Sequence, residues 1–348
     1  QVSTFDVGDY DGDGNQDMFF SQWRGNKQTT KHSFFYNRNG EWKIVNSKFG
    51  INHKGRDIKS VTADYDNDGF LDLLIINNLK SKLYKNDGSG QFTDVTDISG
   101  LSLPLNTMDA GFFDYDLEGD LDVFVVTTTK NKLFRNNSDG TFTDVSKRST
   151  ISELSNSSVD MAFGDFDDDG DVDLFVVNMN GSNRYYNNRR QGYFNDNTKM
   201  TGLSFAGTPS NVEVADYNND GFLDLFITDL SGENHTIFKN MNDGSFEKDN
   251  QVLSQINELD SFAGIQAEFF DVDNDGNLDL LVSGSPTSKE NYSSGLLLLH
   301  HNGQGGFDNI SSILPNNTGL IEQIRTDDID NDGDLDIILL DDRGNLRV

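Results

Sequence analysis

Acidic residues alternate along a nine-residue phrase that recurs seven times. It reads DYDGDGNQD from Asp9, DYDNDGFLD from Asp64, DYDLEGDLD from Asp114 and DFDDDGDVD from Asp165. It continues as DYNNDGFLD from Asp216, DVDNDGNLD from Asp271 and DIDNDGDLD from Asp328. With the first Asp as position one, side-chain oxygens fall at positions one, three, five and nine. These are Asp9, Asp11, Asp13 and Asp17; Asp64, Asp66, Asp68 and Asp72; Asp114, Asp116, Glu118 and Asp122; Asp165, Asp167, Asp169 and Asp173. The later loops supply Asp216, Asn218, Asp220 and Asp224; Asp271, Asp273, Asp275 and Asp279; Asp328, Asp330, Asp332 and Asp336. Gly holds position six, and position seven varies: Asn15, Phe70, Asp120, Asp171, Phe222, Asn277 or Asp334. Indifference to the side chain at seven is what a main-chain carbonyl ligand predicts. Alternating hard oxygens around a glycine turn wrap a divalent cation, and Ca2+ takes roughly six to eight of them.

The phrase matches the first half of an EF-hand loop but lacks its closing Glu and exiting helix; position twelve is Phe20 or Ile75, in an apolar run. The expected cage is therefore a β-hairpin, its last carboxylate arriving from the start of the second strand. Mg2+ keeps its waters and fits less well. Zn2+ favours His or Cys, and no His lies within the phrases. Asn218 removes one charge, so the fifth loop is the weakest expected site. Seven Ca2+ would add +14 and take the formal charge from −31 to −17. Seven near-identical sites spread evenly favour stapling of hairpins over calcium sensing. Such sites fill at extracellular calcium of about a millimolar, which predicts a secreted, periplasmic or cell-surface protein.

The elements that must hold these loops repeat with them. Successive phrases start 55, 50, 51, 51, 55 and 57 residues apart. Before each sits a short alternating stretch with small residues, such as SVTA or NVEVA. After each comes an apolar run such as LLII, VFVV or LFVV, which reads as a strand buried on both faces. A third segment (KLYKN, KLFRN, RYYNN, TIFKN), a turn and a fourth strand follow. Trp42, Phe92, Phe142, Phe194, Phe246 and Phe307 lead the fourth strands. Four antiparallel strands in about 50 residues is the size of a propeller blade. The expected fold is all-β, a seven-bladed β-propeller with a calcium loop in each blade, one domain over 1–348. Blades start near 1, 57, 107, 158, 209, 263 and 321. A linear solenoid is the alternative, but its coils are shorter and carry no four-strand pattern. Repeat seven runs out before its fourth strand, which predicts that the strand lies in further sequence or that the ring closes imperfectly.

Composition bounds the partners. A net charge of −31 disfavours nucleic acid and anionic lipid. There is no Cys, hence no disulfide or thiolate chemistry. No apolar stretch reaches transmembrane length. A start at Gln1 without Met or signal peptide points to a processed or excised portion of a longer polypeptide or assembly.

The acidic phrase, its apolar strand and the sequences NDGSGQFTDVT and NSDGTFTDVS resemble FG-GAP/VCBS repeats. Those repeats occur in the integrin alpha-chain propeller, in cartilage acidic protein relatives and in bacterial surface proteins. The resemblance covers essentially the whole chain. It implies a seven-bladed propeller with Ca2+ on one face and partner binding on the other.

Two connections expected opposite the acidic loops are long, 21–32 and 284–295, with Trp23, Arg24 and Tyr292 as candidate contacts. No G-x-S-x-G, H-E-x-x-H, P-loop or dinucleotide fingerprint is present. The five His are His32, His53, His235, His300 and His301; the last two, adjacent on a strand, point to opposite faces. The expected function is non-enzymatic, calcium-stabilised extracellular recognition or adhesion toward a protein or glycan. The alternative is a polysaccharide lyase-like enzyme in which His32, His53 and Arg56 converge. Seven N-x-S/T sequons, at Asn136, Asn156, Asn180, Asn234, Asn291, Asn309 and Asn316, are near what an Asn- and Ser-rich chain gives by chance.

Overall fold

The computed structural model describes residues 2–24, 29–38, 40–45, 49–151, 157–179, 182–190, 192–205, 207–254, 259, 262–287, 295–315 and 318–348. The chain is all-β, a seven-bladed β-propeller of consecutive antiparallel meanders. Sheet one comprises β1 (Val2–Gly8), β2 (Asp17–Arg24), β3 (Thr29–Arg38) and β4 (Glu41–Val45). Sheet two comprises β5 (Asp57–Ala63), β6 (Asp72–Asn77), β7 (Lys82–Asn86) and β8 (Phe92–Asp94). Sheet three comprises β9 (Thr107–Phe113), β10 (Asp122–Thr127), β11 (Lys132–Asn136) and β12 (Phe142–Asp144). Sheet four holds β13 (Ser158–Gly164), β14 (Asp173–Asn178), β15 (Arg184–Asn188) and β16 (Phe194–Asp196). Sheet five holds β17 (Pro209–Ala215), β18 (Asp224–Asp229), β19 (Thr236–Asn240) and β20 (Phe246–Lys248). Sheet six holds β21 (Phe262–Phe270), β22 (Asp279–Pro286), β23 (Leu296–His301) and β24 (Phe307–Asn309). Among the described residues the seventh sheet has three strands, β25 (Ile321–Asp327), β26 (Asp336–Asp341) and β27 (Leu346–Arg347). Within each sheet, strands pair in sequence order.

The chain divides into two compact units. One holds Gln1–Ser155 with Asp327–Asp336 and Arg343–Leu346; the other holds Asn156–Thr326 with Ile337–Asp342 and Arg347–Val348. In the first unit, β6 and β10 read DLLIIN and DVFVVT, and every residue is buried. Alternation along β6 explains why both faces are apolar. Leu73 and Ile75 pack with Phe19 and Phe34 of sheet one, whereas Leu74 and Ile76 pack with Ala110, Val123 and Val125 of sheet three. In the second unit β14 and β18 are likewise wholly buried. Leu225 and Ile227 join Phe175 and Val177, while Phe226 joins Leu280 and Val282. Leu281, Leu296 and Leu298 pack with Ile321, Ile324 and Leu339. Each such side chain contributes about 1.5–3 kcal/mol by leaving water.

Phe92, Phe142, Phe194, Phe246 and Phe307 are buried at the fourth strands, but Trp42 is 39% exposed on β4. Phe49 instead packs against Phe34 in that core cluster. Two one-turn helices that the strand pattern did not foretell, α1 (Thr96–Ser99) and α2 (Asn250–Leu253), follow β8 and β20. Among the described residues no helix is long and apolar enough to cross a membrane.

Candidate metal centres

Each acidic phrase is the connection between a first and a second strand. The residue before position one pairs with position nine: Gly8 with Asp17, Ala63 with Asp72, Phe113 with Asp122, Gly164 with Asp173, Ala215 with Asp224 and Phe270 with Asp279. Position nine therefore opens the buried second strand, and its carboxylate is sunk in the sheet; Asp17, Asp122, Asp173 and Asp279 are 0% exposed.

The carboxylates knit the loop by accepting main-chain N–H bonds. At position nine, one oxygen accepts from position two: Tyr10 to Asp17 at 3.1 Å, Tyr65 to Asp72 at 3.3 Å, Val272 to Asp279 at 2.8 Å. The other accepts from the third strand: Asn37 to Asp17 and Asn86 to Asp72 at 2.8 Å, Asn240 to Asp224 at 2.7 Å. Position one accepts from positions five and six; Asp64 takes Asp68 at 3.0 Å and Gly69 at 2.8 Å, and Asp216 takes Asp220 at 2.9 Å and Gly221 at 2.8 Å. Position five accepts from position seven, as Phe70 to Asp68 at 3.1 Å and Asp334 to Asp332 at 3.0 Å. The glycine at six is left-handed in every loop, φ 83° to 95°. Position four is left-handed too, at Gly12, Asn67, Leu117, Asp168, Asn219, Asn274 and Asn331. Asn and Gly tolerate that region best, so the Asn-rich fourth position was a readable signal.

At position three a main-chain bond of this kind is made in the seventh loop, where Asp330 accepts from Asp332 at 3.3 Å, whereas other loops leave an oxygen over. Oδ1 of Asp66, Asp116 and Asn218, and Oδ1 of Asp120 at position seven of the third loop, are buried without any hydrogen-bond donor. Ligand oxygens of Asp9, Asp11 and Asp13, of Asp64, Asp66 and Asp72, and of Asp114, Asp116 and Asp122 lie within 4.8 Å of one another. Burial pushes the carboxyls of Asp17, Asp72, Asp173 and Asp224 up to about 7 and that of Asp122 up to about 8, against the main-chain donors that favour the charged form. A set of hard oxygens, several buried and donorless, in a chain without Cys, fits Ca2+. Bound there, the ion supplies positive charge and a cross-link between the two strands. The side chains at one, three, five and nine and the carbonyl at seven are the groups that would hold it.

Basic side chains of the third strand and the turn after it reach into the loops, which their sequence did not announce. Arg38 pairs with Asp11 and Asp13, Lys85 with Asp66 and Asp68, Arg135 with Asp116 and Glu118, Arg190 with Asp171 and Lys239 with Asp220. In sheet six His300 takes this place, its Nδ1 2.9 Å from Asp279 and its Nε2 3.7 Å from Asp273. A His thus joins the sixth cluster from the strand rather than from the phrase.

A second cluster lies at the opposite end of sheets one and two. His32 and His53 do meet, but around Asp57 and not Arg56, which is exposed. Asp57 accepts from His32 Nε2 at 2.9 Å, His53 Nε2 at 2.7 Å, Asn77 Nδ2 at 2.7 Å and the Ser21 hydroxyl at 2.5 Å. Burial raises the Asp57 carboxyl, but the two imidazole bonds outweigh it and hold it well below the usual carboxylate range. Four donors on one buried carboxylate make a closed hub that ties β2, β3, β5 and β6 together. Of the expected ligand contacts, Trp23 is half-buried on β2; the Arg24 side chain and Tyr292 lie outside the described residues.

Fold and loops define a propeller built from acidic-hairpin repeats. The FG-GAP-like repeat family matches residues 9–75, 64–125, 114–176, 165–227 and 223–282, so the chain belongs to that family. Among solved structures, it is similar to an Agrocybe aegerita lectin described by its specific recognition of non-reducing terminal N-acetylglucosamine. That likeness has 18% identity over 87% of this chain and 78% of the lectin, with a TM-score of 0.56. It is also similar to BBS1N in complex with ARL6DN, at 9% identity over 99% of this chain and 91% of that one, TM-score 0.60. At these identities the likeness is one of fold. No curated protein matches significantly.

Proposed function

We propose that this chain is a non-enzymatic propeller whose seven acidic hairpins hold Ca2+ as structural staples, and that it recognises a protein or glycan outside the cell. The observation that carries the calcium reading is the donorless buried oxygen at the third position of separate repeats, on Asp66, Asp116 and Asn218. A lone buried acceptor costs about 1–3 kcal/mol, and a repeated one marks a repeated ligand. Recognition is supported by the similar propellers, one named for N-acetylglucosamine recognition and one captured with a protein partner. The ends of the sheets away from the acidic loops are the proposed contact surface; on sheets two and three they carry exposed Ile58, Leu79, Leu105 and Met108. A formal charge of −31 is lowered by bound Ca2+, and millimolar extracellular calcium suits such cages.

Calcium titration by calorimetry, followed by a glycan array and a protein pull-down with and without chelator, tests both halves. Saturable binding of several Ca2+ and a ligand signal that chelation reduces are expected. A chain that binds no Ca2+ refutes the staple; turnover of a polysaccharide to an unsaturated product refutes the non-enzymatic assignment.

A further inference from the structure

Some neighbouring acidic loops are wired to one another through asparagine amides. In the fifth loop Asn219 sits at position four, between the candidate ligands Asn218 and Asp220, with φ 57°. Its Nδ2 crosses to the sixth loop and donates to Asn277 Oδ1 at 3.1 Å, with a longer contact of 3.5 Å to the Gly276 carbonyl. Asn277 then donates its own Nδ2 to Asp275 Oδ1 at 2.9 Å, and its main-chain N–H reaches the same oxygen at 2.8 Å. The arrangement recurs between the seventh and first loops. Asn331, φ 59°, donates to Asn15 Oδ1 at 2.9 Å. Asn15 donates Nδ2 to Asp13 Oδ1 at 2.8 Å and its N–H to that oxygen at 3.0 Å.

Only two loops carry Asn at position seven, the first and the sixth. Each of them receives such an amide. Where position seven is Asp120, the amide of Asn67 stops at the Gly119 carbonyl, 3.0 Å away, and goes no further.

We propose that the relays Asn219–Asn277–Asp275 and Asn331–Asn15–Asp13 couple adjacent loops, so that Ca2+ in one raises the affinity of the next. This rests on the calcium reading above. Each relay starts at a turn residue flanked by two ligands and ends on a ligand carboxylate. Fixing the first loop fixes the φ of its fourth residue and aims its amide. The aimed amide orients the receiving Asn, which pins Oδ1 of the position-five carboxylate, while Oδ2 of Asp13 meets Arg38. Linkage makes the effect reciprocal. One well-made neutral hydrogen bond corresponds to about a fivefold change in affinity.

The test is a double-mutant cycle read by Ca2+ calorimetry on the whole chain: Asn219→Ala, Asn277→Ala and both together. Unchanged stoichiometry, a shallower isotherm, about fivefold weaker binding in each single variant and no further loss in the double support the relay. Additive losses, or an unaltered slope and midpoint, overturn it while leaving the calcium reading intact. A wild-type chain that takes up no Ca2+ fails at the earlier step, which separates the two. Asn67→Ala, whose bond ends on a carbonyl, is expected to leave the slope unchanged. Should the Asn219 variants not fold, hydrogen exchange decides. Asp220→Ala, which disables the fifth loop, is expected to lower Ca2+-dependent protection of 271–279 and to spare 165–173; equal protection of 271–279 in both chains overturns the relay.

Discussion

The side-chain amide of Asn86 donates to the main-chain carbonyl of Tyr10 at 2.8 Å, joining the third strand of sheet two to the acidic loop of sheet one. The same bond joins Asn136 to Tyr65 at 2.7 Å, Asn240 to Phe166 at 2.8 Å and Asn37 to Ile329 at 2.8 Å. Each Asn also gives its main-chain N–H to position nine of its own loop. One residue thus fastens a blade to its neighbour and a third strand to its own cage.

Asn86→Ala removes the donor and leaves a carbonyl on Tyr10, itself 0% exposed, without its partner. Asn86 also bonds the Leu71 carbonyl at 3.0 Å and accepts from Gly88 at 3.1 Å. A loss of about 1–3 kcal/mol is expected, read as a lower urea midpoint with an unchanged m-value. A change below a few tenths of a kcal/mol would remove the strap from any account of blade adhesion.

Sheet six supplies the converse. His301 stands where sheets one to five have Asn, and its N–H still reaches Asp279 at 2.7 Å. Its Nε2, however, is buried and unpartnered, while Nδ1 accepts from Gly303 at 3.3 Å. His301→Asn restores the amide that Asn86 and Asn240 use and is expected to stabilise by about 1 kcal/mol. Calorimetric melting that shows no rise in Tm would indicate that the sheet has adapted to the ring.

How much of this was legible in sequence depends on the range of the interaction. The strands β6, β10, β14 and β18 announced themselves because a buried two-sided strand must be apolar throughout. The glycine at position six showed itself because left-handed backbone filters residue type. Phe92 and its equivalents were readable as buried, but Trp42 was not, because Phe49 from outside the repeat pattern packs in that core. The Asn straps left a mark, the final Asn of KLYKN, KLFRN and TIFKN, yet its partner lies about seventy residues away. The pairing of Lys85 or Lys239 with an acidic loop was hidden for another reason: the partner lies only 19 residues back, in the same blade, but the contact depends on how the third strand lies beside the loop. His300 joined the sixth cluster through strand pairing alone, which no count of phrase residues reveals.

The fifth loop offers a change whose sign depends on calcium. Asn218 donates Nδ2 to Asp224 at 2.9 Å while its Oδ1 stays donorless. Asn218→Asp replaces that donor with a charge facing a carboxyl that burial already pushes up to about 7. In chelator the variant is expected to melt about one to two degrees lower than wild type, by about 1 kcal/mol of repulsion and lost hydrogen bonding. In excess Ca2+ it is expected to melt at or above wild type, because the cage gains a charged ligand. Melting below wild type in both conditions would show that position three does not face a cation.

The Asp57 hub predicts acid sensitivity independent of the metal loops. Burial holds the His32 imidazole below its usual 6.5, opposed by Asp57 and assisted by the nearby His53. The unfolded chain takes up a proton at about 6.5 and the folded chain only at lower pH. Between those values the unfolded state binds more protons, so stability falls as pH falls and is retained above 6.5. His32→Gln keeps a side-chain donor available to Asp57 and removes the titration. Urea midpoints at pH 7.5 and 5.5, in saturating Ca2+, are expected to differ more in wild type than in the variant. Equal differences in the two chains would mean that His32 is charged in the folded hub, its proton held by the Asp57 carboxylate 2.9 Å away.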